Sequence, residues 1–509
     1  MKAIPGEATL TRRRKKLDMM IKGDDLGNAY AATLSRIKVS EGGKSTLGME
    51  VLMWVSHAKR PLHVNELCHA LGVEGSEDLD TRNIPKIVTL LAFTLGFVTV
   101  EKSSFTVWLV HYTLEHLSNN TELFPNAHSI IVEVCLTYLN FPHRRSFSPA
   151  PRSVPQTAPF VEYASCYWDT HARSGTTESV KALTLKLLNG YDKHISSKVV
   201  LLRGVMAEEQ PFDGEDTATG FTGLHSATYS GCVEITVTLL GMSKGDRRET
   251  DFHGNTALAW ASTRGHEGVV MVLLERTDVG SGTPGTKYGS TPLLWAAENG
   301  HEEVVRILLE RKDVNLNNPD KRGRTPLLWA SLNGHEGVVR MLLGQNGVNP
   351  DKPDSARATP LSSASENGYE SAVRMLLERN YVNPQKWDIL LQRPLCRASA
   401  NGHEGVVKML LERNEVNLDK RQFLGMTPLS YASFYANEGV VRMLLERNDV
   451  NPNHRDLLGL TPLLLASLSN HEGVIRMLSE QSDGKVHIPP TWRRRLLWSP
   501  MLFFLLGGI

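Results

Sequence analysis

"TPLLWAAENGHEEVVRILLERKDVN", Thr291 to Asn315, is the stretch whose reading decides the fold. It returns as "TPLLWASLNGHEGVVRMLL" from Thr325 and as "TPLSSASENGYESAVRMLLERNYVN" from Thr359. Further copies start at Arg393, Thr427 and Thr461, and two earlier ones at Thr222 and Thr256. The step is 34 residues, once 35, which predicts eight copies. A fixed period of this size is the mark of a solenoid of stacked supersecondary units.

Each copy reads physically. Pro at the first helical position loses no hydrogen bond, because that N–H has no intrahelical partner. Two small residues follow, Ala296 and Ala297 in the first stretch, and let neighbouring helices approach closely. Asn-Gly ends this helix, and "HEGVVRMLLER" places Val and Leu at helical spacing in a second one. Gly-containing turns such as Arg322–Gly323–Arg324 lead to the next copy. One copy cannot bury its apolar face alone, but a stack shares a continuous core.

The pattern resembles the ankyrin repeat, with its T-P-L-H start, its paired alanines, and G-H before an apolar second helix. The resemblance implies a mainly α solenoid over 215–480 that binds a protein partner. Three departures stand out. The His of T-P-L-H survives only as His225, Arg393 replaces the starting Thr of the sixth copy, and Ala436–Asn437 replace Gly-His in the seventh.

Three motifs point to other chemistry. "HEGVV" is similar to the zinc motif H-E-x-x-H, but its second His is absent in every copy, so His266, His301, His335, His403 and His471 are expected to be turn residues and no metal is expected. Trp260, Trp295 and Trp329 share one position in three successive copies and are expected in the inter-copy core. "EGGKST", Glu41 to Thr46, ends like a phosphate loop, yet Lys38 stands where the first Gly belongs and the preceding residues read as a helix, not a strand. A helix–helix turn is expected there, with no cofactor.

Residues 47–140 carry a different pattern. Leu47, Val51, Trp54 and Val55 form one helical face, "VNELCHALG" a second helix, and "NIPKIVTLLAFTLG" a third with Asn83 as cap and Pro85 in its first turn. "FVTVE" and "FTVWLVH" alternate like two strands around Lys102–Ser103–Ser104. Three helices and a hairpin predict a small winged-helix domain. Between residues 45 and 117 five Lys or Arg stand against eight Asp or Glu, a net charge of −3, which argues against DNA binding.

"AYAATLSRI", "LMWVSHAKRPLHVNELCHAL", "GFVTVEK", "LVHYTLEHL" and "EYASCYWDTHAR", in that order before the repeats, resemble the segments that follow the NTPase in fungal NACHT–ankyrin proteins of the STAND class. The winged-helix part resembles the type named after GPI inositol-deacylase. That resemblance implies the sensor arm of an NLR-like receptor without its NTPase, and the deacylase label implies no esterase here.

The remaining segments are predicted to be a basic arm and helical joint (1–46), a Pro-rich linker (141–160), a helical adaptor (161–214) and a tail (481–509). Lys and Arg number 56 and Asp and Glu 55, a balance that draws the chain neither to nucleic acid nor to membrane. Five scattered cysteines suit reduced thiols. A cytoplasmic location is expected, with "RRRKK" (Arg12 to Lys16) as an alternative nuclear address. The final apolar run from Leu496 has 14 residues and contains Pro500, and so falls short of the ~20 that span a bilayer. It is expected to flap over the last copy or to lack structure.

The sequence thus predicts a non-enzymatic interaction protein, with a nucleotide switch near Lys44 or a DNA-binding regulator as alternatives. Candidate contacts lie seven and eight residues after each start: Thr263, Arg264, Glu298, Asn299, Leu332, Asn333, Glu366, Asn367, Phe434, Tyr435, Leu468 and Ser469. Turn-tip candidates are Phe252, Tyr288, Leu390, Phe423, Leu424, Leu457 and Leu458. The aromatic and leucine positions of the later copies favour a partner docked toward the C-terminal end of the stack.

Overall fold

The computed structural model describes residues 25–73, 79–110, 122–142, 158–173, 177–204, 220–242, 249–251, 253–275, 289–379, 381–413, 415–416 and 423–481. "RRRKK", most of the Pro-rich stretch and the tail lie outside them. The chain divides into two compact units, Met1–Phe252 and His253–Ile509.

In the first unit α1 (Asp25–Lys38) and α2 (Gly43–His57) are joined by a turn at Gly42, whose φ is 66°. Here "EGGKST" is a helix–helix joint, and the Ser45 hydroxyl donates to the Lys38 carbonyl at 2.8 Å. Next come α3 (Val64–Leu71), α4 (Ile87–Phe93) and an antiparallel hairpin of β1 (Val98–Val100) and β2 (Val107–Leu109), with Val100 opposite Val107. Leu62 and His63 add a short third rung. His63 bridges Thr106, and the Val107 N–H donates to the Leu62 carbonyl at 2.8 Å.

The third helix starts later than its sequence pattern suggests. Asn83 does not cap it but ends a one-turn 3-10 helix, Thr81–Asn83, capped by Asp80. Pro85 disfavours helical backbone at Ile84, which is extended, so α4 waits until Ile87.

The unit continues through α5 (Ala127–Leu139), α6 (Val161–Ala172), α7 (Glu178–Leu188) and α8 (Ile195–Gly204), then the pair α9 (Gly223–Ser230) and α10 (Val233–Met242), which packs on α7. Its core is aromatic. The Phe160 ring meets Trp54 edge-on at 5.6 Å and Tyr138 edge-on at 5.2 Å, and stacks on Tyr163 at 5.7 Å. Aromatic pairs of this geometry favour packing beyond their buried area.

The second unit is a stack of helix pairs: α11 (Ala257–Thr263) with α12 (Glu267–Leu274), α13 (Pro292–Glu298) with α14 (Glu302–Leu309), and α15 (Pro326–Leu332) with α16 (Glu336–Leu343). It goes on through α17 (Pro360–Asn367) with α18 (Glu370–Leu377), α19 (Pro394–Asn401) with α20 (Glu404–Leu411), α21 (Pro428–Phe434) with α22 (Glu438–Leu445), and α23 (Pro462–Leu468) with α24 (Glu472–Gln481). First helices pack on first helices and second on second along the stack. Ala296, Ala297, Val304, Val305 and Leu308 are fully buried, as the alternation of small and branched residues requires. Each starting Thr caps its helix through its hydroxyl, as when Thr325 accepts from the Leu328 N–H at 3.2 Å. Arg393 cannot do this, and its guanidinium turns to the Gln385 carbonyl at 3.0 Å.

Candidate functional site

The recurring histidines are staples between copies. The Nε2 of His301 meets the Thr263 carbonyl at 2.8 Å, that of His335 the Glu298 carbonyl at 2.8 Å, that of His403 the Glu366 carbonyl at 2.8 Å, and that of His471 the Phe434 carbonyl at 2.9 Å. Each closes one orphan carbonyl at a helix end of the preceding copy. Asn437 replaces this His by donating to the Ser399 and Ala400 carbonyls. Glycine holds the left-handed place beneath most of these rings, and Ala436 (φ 62°) holds it beneath His471. Gly300 has φ 74°, and a Cβ there would lie 2.5 Å from His335 Nδ1.

The turns that precede copies four, five, six and eight share a build that Gly counting alone misses. An Asp five residues before the start folds its carboxylate into the turn. Asp320 Oδ1 accepts from the Arg322 and Arg324 N–H groups, both at 2.8 Å. Asp388 Oδ1 accepts from Leu390 at 2.8 Å and Gln392 at 3.0 Å, and Asp456 Oδ1 from Leu458 at 2.9 Å and Leu460 at 2.7 Å. Asp354 does the same for Ala358 at 2.8 Å. Each tip then bonds the next: Ser355 N–H to the Arg322 carbonyl at 2.8 Å, Ile389 to Ala356 at 2.8 Å, and Leu457 to Leu424 at 2.7 Å. The shared tryptophan position backs these tips. Trp329 Nε1 donates to Asp320 Oδ2 at 3.1 Å, and the Arg324 guanidinium lies 4.6 Å from the Trp329 ring centre. Trp260 is buried, whereas Trp295 and Trp329 are only partly so.

The contact candidates separate. Asn299 and Asn367 are exposed, Glu298 and Glu366 half-buried. Glu366 pairs with Arg397, and the Asn299 and Asn367 amides donate to the carbonyls of Trp295 and Ser363 in their own helices. Arg264 is exposed, while Thr263, Leu332, Asn333, Leu468 and Ser469 are intermediate. Leu457, Leu458, Leu390 and Tyr435 are exposed.

Phe434 and Leu424 do not belong on the surface. Phe434 is only 8% exposed, and with Leu424 it joins a core cluster of Cys396, Met426, Tyr431, Leu460 and Leu465. At the position seven residues after the start Glu298 and Glu366 are half-buried and carry a carboxylate that must stay wet or paired. A phenyl ring has no polar end and buries whole. Phe252, Tyr288 and the Phe423 side chain lie outside the described residues.

The surface residues that the sequence reading missed are Trp387, Ile389 and Leu391, all exposed around Leu390, with Tyr381 nearby in sequence. Their signal was a run of apolar residues inside a turn, where polar residues are the rule.

The chain matches the ankyrin-repeat family over residues 253–283 as a single repeat, and over 273–354, 312–388, 346–422 and 395–488 as sets of three. Residues 253–488 are ankyrin repeats. The ankyrin stack therefore holds every staple and every tip described above, while the α9–α10 pair of the Thr222 copy precedes the matched span. No curated protein matches the chain.

The first unit holds a second polar cluster. His171 is fully buried, with Nδ1 2.8 Å from His128 Nδ1 and Nε2 3.0 Å from the Tyr163 hydroxyl, which also accepts from the Lys59 N–H at 3.1 Å. The phenolic proton is thereby left for His171 Nε2. Burial, and then the charges of His128, Lys59 and His57, bring His171 down to about 3, and burial likewise lowers His57 and His128. A cavity of about 420 Å³ beside α6 is lined by Arg60, Glu162, Cys166, Asp169 and Tyr229. Its charges are engaged, with Arg60 forked onto Glu66 at 2.6 and 2.8 Å and Asp169 facing Arg173 at 3.6 Å. Among the described residues no group of three His, Cys, Asp or Glu is placed to hold a metal ion, and no helix is long and apolar enough to cross a membrane.

Proposed function

We propose that the chain is a non-enzymatic scaffold that binds a protein partner through its ankyrin repeats. Ankyrin repeats generally mediate protein–protein binding, which supports this reading. One observation supports the surface. The recurring histidines are spent on bonds between copies and the tip aspartates on bonds within their turns, while the tips and the ends of the first helices vary in residue type from copy to copy. Affinity capture with the full chain, against the same chain carrying Glu298→Ala, Asn299→Ala, Arg357→Gly and Leu391→Gly, tests the reading. The same partners recovered in equal yield by both would overturn it.

The first unit favours a supporting reading as a winged helix. Its order is helix, short strand at Leu62–His63, two helices, then the β1–β2 hairpin, with the short strand paired to the hairpin. With the net charge of −3 over 45–117, this unit suits a packing role better than a DNA contact. The likeness to NACHT–ankyrin sensor arms rests on the sequence segments alone. The Gly42–Gly43 joint lies between two helices and Ser45 is bonded to Lys38, so we expect no heat of binding in a calorimetric titration with millimolar ATP or GTP. Saturable heat that Lys44→Ala removes would restore the nucleotide-switch alternative.

A further inference from the structure

The tips of residues 320–324, 354–358 and 388–392 form one continuous strip whose chemistry changes along its length. Two hydrogen bonds join it, Ser355 N–H to Arg322 carbonyl and Ile389 N–H to Ala356 carbonyl, both 2.8 Å. At one end Lys321, Arg322 and Arg357 are exposed and form no ion pair among the described residues. The tip aspartates keep their charge but make no ion pair with these three side chains. Asp320 and Asp388 are saturated by backbone N–H groups and by Trp329 or Arg397, and Asp354 by Ala358 and Arg324. At the other end Trp387, Ile389, Leu390 and Leu391 are 42–64% exposed side by side. Arg357 joins the two ends, with its guanidinium 5.8 Å from the Trp387 ring centre.

Two of these residues hold their places at a conformational cost. The fourth residue of each tip is left-handed. It is Gly at 254, 289, 323, 425 and 459, but Arg357 (φ 61°) and Leu391 (φ 57°) in the strip. A side chain in that region crowds its own backbone where Gly does not. Both side chains are exposed, Arg357 beside the Trp387 ring and Leu391 at 43%.

We propose that this strip is the docking surface for an extended protein segment in which acidic residues are followed by large apolar ones, the acids over Lys321, Arg322 and Arg357 and the apolar side chains over Trp387 and Ile389–Leu391. The proposal rests on the protein-binding reading and names its partner's chemistry. Charge complementarity selects an acidic partner, and the adjoining apolar area selects one that is not acidic throughout. A bilayer suits the strip less well. The apolar side chains rest half-packed on their own turns, so the relief is low, whereas a membrane anchor must reach about 5–10 Å into the headgroup–acyl boundary. Nucleic acid would leave the apolar end unused.

The test is selection from a random 16-residue peptide display library against the full-length protein. Recovered peptides should be rich in Asp and Glu beside Leu, Ile, Phe or Trp, and bind more weakly at high salt. Arg357→Gly with Leu391→Gly should weaken them at least tenfold. That pair removes two side chains while matching the backbone of the other tips, so folding is retained. Arg322→Glu with Ile389→Ser should do the same, with circular dichroism as the fold check. No enriched peptides, peptides without acids, or peptides indifferent to both variant pairs would overturn the strip. So would tighter binding to phosphatidylserine vesicles or duplex DNA. Peptides lost on Glu298→Ala with Asn299→Ala but not on the tip variants would keep the protein-binding reading and sink only this one.

Discussion

Histidine does opposite things in the two units. In the ankyrin stack the same bond recurs at His301, His335, His403 and His471, each to a carbonyl of the copy before. In the first unit His57, His128 and His171 come from three different elements and meet once, in a part-buried cluster with Tyr163. The difference teaches how stability is distributed. A stack is held by near neighbours and should fail locally. A cluster built from distant segments closes large loops and should fail as a whole.

The largest expected effect sharpens the first half of this contrast. Leu308 is fully buried in α14, and Leu308→Ala should cost about 2–5 kcal/mol. Hydrogen exchange should quicken most in α13–α14 and the pairs beside them. Equal loosening through all copies would break the near-neighbour picture.

Acid tests the other half. The folded state lowers the His171 pKa from an ordinary 6.5 to about 3, so neutral imidazole is favoured when folded. The stabilisation is present above pH 6.5 and is lost as pH falls toward the folded value. By pH 5 the first unit should lose about 2 kcal/mol through this residue alone. Thermal melts against pH should show the slope, and His171→Gln should flatten it. An unchanged slope in that variant would remove His171 from the account.

Gly300→Ala comes next. It places a side chain at φ 74° against the His335 ring, and should cost about 1–2 kcal/mol. Urea denaturation followed by exchange at α13 and α15 reads it, and a loss below ~0.5 kcal/mol would mean the ring swings aside freely. The smallest effect has the opposite sign. Leu391→Gly should raise stability by up to about 1 kcal/mol by relieving its left-handed backbone.

The repeat made much of the stack legible. Thr-Pro starts, paired alanines and Asn-Gly ends each recur, so their roles could be read once and applied down the chain. The tip aspartates recur too, at Asp320, Asp354, Asp388 and Asp456, and were open to the same reading. Phe434 was misplaced because periodicity gives a position, while burial depends on whether the side chain has a polar end to keep wet. The histidine cluster was out of reach. Nothing in a sequence joins positions 57, 128 and 171 until three helices pack.

The left-handed Arg357 and Leu391 bear on how this protein could be redesigned. Averaging its own copies would write Gly at both places, as at 323, 425 and 459. The averaged chain would melt later, and a stability screen would rank it first. It would also have erased two side chains that hold left-handed backbone in the exposed tips. Engineering here should hold those two residues fixed and look for its gains among the buried helices.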